Sequence, residues 1–211
     1  MANVMLHKSH SNKDVYAVNV ARKIISVTVT ANAFVVKTWL SAMLHSFGRH
    51  VSQNELIIGL GVQSSPAPGG SGTPPADTLI LCVGDRCLIF RLSRADRVPK
   101  KLRNLLLNPS HNFVGIWNSS DREKLKNSRH ALEMESDPLD LRLHLRGNRA
   151  RNLAEATVDE IIRACTGFQV EQNREIRESN WNENSLSLEQ IGYAALDAYC
   201  AFVVIGIANV A

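Results

Sequence analysis

The chain has 211 residues, 45% of them hydrophobic and 21% charged, and a formal charge of +4. That length suits one domain with a sizeable core, and the balance excludes a disordered or fibrous chain. The mild basic excess favours polyanions without demanding one, and four cysteines without a following His pair exclude a zinc finger and a disulfide framework.

Residues 1–21 read as a polar tail and lead-in, ahead of a single domain over residues 22–211. Lys23 to Thr30 is β-branched and alternating, a strand, and the next segment spaces Phe34, Val35, Trp39, Ala42 and Met43 at helical intervals until Gly48. Leu56 to Leu60 is a short apolar run without alternation, as expected of a strand covered on both faces. The Pro, Gly and Ser of residues 63–77 predict a flexible loop. Thr78 to Leu92 predicts a hairpin turning at Gly84-Asp85. A short amphipathic helix over Pro99 to Leu107 and a buried strand over Asn112 to Ile116 follow. The next helix begins near Ser119 or Ser120, with Asp121 in its first turn, where a carboxylate suits the helix dipole.

Asn152 to Cys165 has helical spacing, with Leu153, Ala156, Ile161 and Ile162 inward and Gly167 as the stop. The last helix starts at Ser187, an N-cap with Gln190 three residues on, and runs to the C-terminus. It is long enough to span a bilayer, but Asp197 and two tyrosines interrupt it, so a buried core helix is expected and no membrane is implied. The opening residues lack the apolar core of a secretory signal, and the cysteines read as buried thiols; the expected location is intracellular, cytoplasm or nucleus. Strands lead and then alternate with helices, which predicts an α/β domain with a mixed sheet.

Asp197 needs an explanation: it lies in an apolar helix, one turn after Tyr193 on the same face. The segment from Asn173 to Phe202 resembles the C-terminal signature of the Werner-syndrome-type 3′–5′ exonucleases. The resemblance is carried by Ser179-Asn180-Trp181, Leu186-Ser187, Gln190-Ile191 and Tyr193-Ala194-Ala195-Leu196-Asp197-Ala198-Tyr199. That family lies in the DEDD, DnaQ-like branch of the RNase H-like superfamily, and the likeness extends at lower density back to Leu56. It implies an RNase H-like, DnaQ-like fold: a mixed β-sheet flanked by helices in a single domain.

The resemblance places the family's tyrosine on Tyr193, its third-motif aspartate on Asp197 and its second-motif aspartate on Asp121. These are the implied catalytic residues, and Asp121 and Asp197 the implied ligands of Mg²⁺ or Mn²⁺. The first motif, Asp-x-Glu, falls on Gly61-Val62-Gln63, so both of its carboxylates are missing. In this class two divalent ions clamp the scissile phosphate, and carboxylate charge holds them. Glu55, Asp77 and Asp85 are the neighbouring acids that could substitute, and His111 and His130 read as surface or strand-edge histidines.

Candidate nucleic-acid contacts are Arg146, Arg149 and Arg151 in one basic segment and Arg174, Arg177 and Trp181 in the C-terminal signature. The small single-domain plant exoribonucleases that clear RNA fragments from silencing complexes also resemble this chain, which implies a homo-oligomer, as large as a hexamer. Two expectations follow: a metal-dependent 3′–5′ exonuclease on single-stranded RNA or DNA, or an inactive relative that serves as a nucleic-acid-binding or protein-interaction scaffold.

Overall fold

A computed structural model describes residues 3–20, 23–53, 56–66, 72–144, 155–167, 169 and 172–208. An eight-stranded mixed sheet has the order β1-β2-β3-β6-β5-β4-β7-β8. Its strands are β1 (Asn3–His10), β2 (Lys13–Val20), β3 (Lys23–Thr30), β4 (Ile57–Gln63), β5 (Thr78–Val83), β6 (Arg86–Arg91), β7 (Asn112–Gly115) and β8 (Leu139–Asp140). The helices are α1 (Ala33–Ser46), α2 (Gly48–Ser52), α3 (Lys100–Leu106), α4 (Asp121–Asn127), α5 (Leu141–His144), α6 (Val158–Thr166), α7 (Arg174–Arg177) and α8 (Leu188–Ala208).

The expected polar tail is instead a hairpin. β1 and β2 pair antiparallel around Ser11-Asn12 and extend the sheet from β3. Only β2 carries a clear core signal, Val18 and Val20, whereas β1 is an exposed edge strand with no buried face to pattern it.

Period-two alternation divides the core. Leu79 and Leu81 of β5 join Leu60, Leu88 and Phe90 against α1 and α3, while Ile80 and Cys82 face the other way, with Val27 and Ile89, toward α8. Cys82 and Cys87 stand directly opposite in the β5–β6 register and are joined as a disulfide, which corrects the expectation of free thiols there; Cys200 is free and buried. The tight turn, with Gly84 at φ +61°, brings the pair into register, as the expected hairpin at Gly84-Asp85 requires.

α8 begins where the sequence places it: Gln190 N–H donates to Ser187 Oγ (3.2 Å) and Ser187 N–H donates back to Gln190 Oε1 (2.9 Å). This is the one described helix long and apolar enough to cross a membrane, and 67% of that stretch is buried inside the protein, as befits a core helix. α6 starts later than its periodicity suggests, because Thr157 and Glu160 form a capping box; Leu153 lies outside the described residues.

Candidate functional site

The site is built where α8 crosses β4. A Cβ on Gly59 would collide with the carbonyl oxygen of Ala198, so only glycine lets the helix backbone come this close to the strand. One step along the same face of β4, Gly61 lies under Asp197: a Cβ on Gly61 would be 3.4 Å from Asp197 Oδ2 and 3.7 Å from Ile80 Cβ, ordinary contact distances. Two residues on, and again on that face, Gln63 Nε2 donates to Asp197 Oδ2 at 3.5 Å. The first-motif positions implied by the resemblance therefore do face the third-motif aspartate, but they offer it a hydrogen and a neutral carboxamide.

Asp121 comes from the neighbouring β7–α4 connection. Asn118, buried, ties that connection to β8 by donating from Nδ2 to the carbonyls of Pro138 (3.4 Å) and Leu139 (3.2 Å). Asn118's own carbonyl accepts from the Asp121 N–H at 3.0 Å, which sets Asp121 at the start of α4. Its carboxylate meets Lys124 Nζ at 3.5 Å.

Burial pushes Asp121 up to about 7; repulsion from Asp197 adds to the rise, and Lys124 and Arg177 oppose it. Burial likewise pushes Asp197 up to about 7 against the pull of Arg177 and Lys124. Each carboxyl holds its proton more tightly in the fold than in the unfolded chain and sheds it at the expense of the fold. Tyr193, one turn before Asp197, is buried, and that burial together with the Asp197 charge raises its phenol well above the ordinary tyrosine range. Its ring leans on Trp181, with centroids 6.2 Å apart.

Trp181, expected as a nucleic-acid contact, is placed in the core rather than on the surface. It is 0% exposed, and its Nε1 donates to the Arg177 carbonyl at 3.1 Å. It is a core side chain packed against Tyr193. Arg177, by contrast, does stand within electrostatic reach of Asp121, Tyr193 and Asp197. Arg174 is exposed and pairs with Glu178 at 2.7 Å. Arg146, Arg149 and Arg151 lie outside the described residues.

Of the acids proposed as substitutes, the two that are described, Asp77 and Asp85, are engaged elsewhere or lie away from Asp197. Asp77 accepts from both the N–H (2.7 Å) and Oγ (2.6 Å) of Ser65, and that same Ser65 Oγ accepts from the Trp181 N–H at 2.9 Å, so Asp77 serves to anchor the 180–182 segment. Asp85 sits in the β5–β6 turn, at the end of the sheet opposite Gln63. Glu55 lies outside the described residues. His111 and His130 each bond a backbone carbonyl, of Leu105 and Ala95 respectively. Among the described residues no group of three or more His, Cys, Asp or Glu side chains comes together.

Sequence reasoning missed Lys124 and Ser65. Lys124 was legible in principle, three residues after Asp121 on one helix face, whereas Ser65 depends on a contact 116 residues away in sequence.

No protein-family model matches the chain. It is 24% identical over 139 residues to a 3′-5′ exonuclease of Drosophila grimshawi, a match covering 64% of this chain and 41% of the relative. It is 29% identical over 127 residues to the bifunctional 3′-5′ exonuclease/ATP-dependent helicase WRN of Mus musculus, covering 59% of this chain and 9% of that protein. The chain thus spans well under two thirds of the length of these curated relatives. Among solved structures, the EXO domain of Aedes aegypti Nibbler superposes with a TM-score of 0.65 at 17% identity, covering 86% of each chain. Escherichia coli RNase D, an exoribonuclease involved in structured RNA processing, superposes at 0.62 with 16% identity, covering 81% of this chain and 42% of that one.

The fold is that of the DnaQ-like, RNase H-like exonuclease domains. In sequence the chain is similar to 3′–5′ exonucleases, the Werner-type enzyme among them, as its C-terminal signature implies.

Proposed function

We propose that this chain binds single-stranded RNA or DNA at the end of the sheet marked by Asp121, Tyr193 and Asp197, and that it lacks the ordinary two-metal hydrolysis of its relatives. The observation that carries this reading is the contact between Gln63 and Asp197: β4 presents an N–H donor to that carboxylate instead of an anionic oxygen that could share a metal with it.

The residues present do not fit a pair of Mg²⁺ or Mn²⁺ ions. Such ions need several anionic oxygen ligands in strict geometry, and here β4 presents only a glycine and an amide N–H to Asp197. Binding is supported separately by the likeness to 3′–5′ exonucleases and by Lys124 and Arg177, cations within electrostatic reach of Asp121 and Asp197, which suit phosphate oxygens.

The test is fluorescence anisotropy of labelled single-stranded RNA and DNA, in EDTA and in Mn²⁺, across a salt series. Binding that survives EDTA and weakens as salt rises supports the reading. Absence of binding at low salt would overturn it and leave a protein-interaction scaffold.

A further inference from the structure

A groove of about 530 Å³ opens beside the candidate site, between the β1–β2 turn, the start of α1, the end of β6 and the 184–186 segment. Its relation to the site is fixed by register. Gln63 pairs with Thr78, and Thr78 pairs with Arg91, so the three side chains emerge on one face of the sheet. Arg91 is therefore displaced from Gln63 by two strand spacings, roughly 10 Å.

Arg91 is 8% exposed. Its Nη1 donates to the Asn184 carbonyl at 2.6 Å and its Nη2 to the Glu183 carbonyl, while its Nε is buried with no partner. Arg94 lies close enough to depress the Arg91 pKa further, beyond what burial does, and it donates to the Asn182 carbonyl. Lys13, from the β1–β2 hairpin, faces the same space and has no ion-pair partner among the described residues. The positive end of α1, a 14-residue helix capped by Asn32, adds to this potential.

Asp14 and Asp96 also line the groove, and each has an oxygen engaged, by Ser9 Oγ and by the Arg97 N–H. Phe34, in the first turn of α1 two residues from Asn32, is 66% exposed. Cations in a groove suit backbone phosphates, and an exposed aromatic ring suits an unstacked base.

We propose that this groove holds backbone phosphates of a single-stranded nucleic acid, with Phe34, two residues after the groove residue Asn32, as a stacking surface for a base. The proposal rests on the nucleic-acid-binding reading above and extends the interface two strands beyond Gln63, onto the N-terminal hairpin.

The test uses the full chain and a labelled oligouridylate, with anisotropy read over a salt series in EDTA for wild type, Lys13→Ala, Lys13→Arg and Phe34→Ala, each checked for an unchanged thermal melt. Removing one phosphate contact on a single strand lowers the magnitude of the log K against log salt slope by about 0.7. That loss is expected for Lys13→Ala, with recovery in Lys13→Arg. Phe34→Ala is expected to weaken binding roughly tenfold with the slope unchanged.

Wild-type binding with slope and affinity unaltered in Lys13→Ala and Phe34→Ala overturns this groove while leaving the broader reading intact. No binding by wild type overturns both. Inorganic phosphate competing as well as the polymer at equal ionic strength would reassign the groove to free anions, and polyglutamate binding with the same dependence on Lys13 would reassign it to an acidic protein; either overturns the proposal.

Discussion

Gln63 and Asp197 meet across the β4–α8 contact, Nε2 to Oδ2 at 3.5 Å, with Gly61 directly beneath the same carboxylate oxygen. A carboxamide can quiet a buried acid by donating to it, and it adds no charge to hold a divalent ion.

Restoring the two missing carboxylates is therefore expected to create metal dependence. A Cβ at Gly61 makes only ordinary contacts, so Gly61→Asp with Gln63→Glu should fold, although the added negative charge beside Asp197 lowers its stability in EDTA. Mn²⁺ should then raise the melting temperature of the double variant, by linkage worth about 2.7 kcal/mol at a hundredfold excess over Kd. The wild-type melt should not respond. Calorimetric titration that finds equal Mn²⁺ affinity in both proteins would contradict this.

Asp121 and Asp197 set a pH dependence whose sign is definite. Each has its pKa raised to about 7 in the fold. The folded state thus binds these protons more tightly than the unfolded chain, and the stability contributed is complete below about pH 4 and lost as pH rises through about 7. Asp197→Asn should stabilise the protein by on the order of 2 kcal/mol at pH 8 and by almost nothing at pH 4. Urea denaturation at the two pH values reads this directly, and equal effects at both would refute it.

Gly59→Ala tests the close approach that builds the site. The methyl group would meet the Ala198 carbonyl oxygen, and backbone cannot yield as a side-chain tip can. A loss of about 3 kcal/mol is expected, measured by denaturant midpoint. A neutral substitution would mean that α8 is free to lift from β4.

Much of the fold was legible in the sequence because its core strands and α8 carry strong local signals: the β-branched run of β3, the Gly84 turn, and the Ser187–Gln190 cap. The edge strand β1 escaped because an exposed strand needs no hydrophobic alternation. At the candidate site, the choice of Asp121, Tyr193 and Asp197, and of Gly61 as a position without a carboxylate, rests on resemblance. What could not be read was the geometry that answers it. Trp181 lies inside because the anchor formed by Ser65 and Asp77 folds its segment over the sheet, a contact between distant residues that leaves no periodic trace.

The most direct measurement is incubation of excess protein with single-stranded RNA and DNA, labelled in separate samples at the 3′ and 5′ ends, in saturating Mn²⁺ or Mg²⁺, with Asp197→Ala alongside. The expected result is a bound substrate that stays at full length over the time in which Gly61→Asp/Gln63→Glu shortens it. Shortening from the 3′ end by wild type that Asp197→Ala abolishes would contradict the loss of two-metal hydrolysis and show that other ligands complete the site.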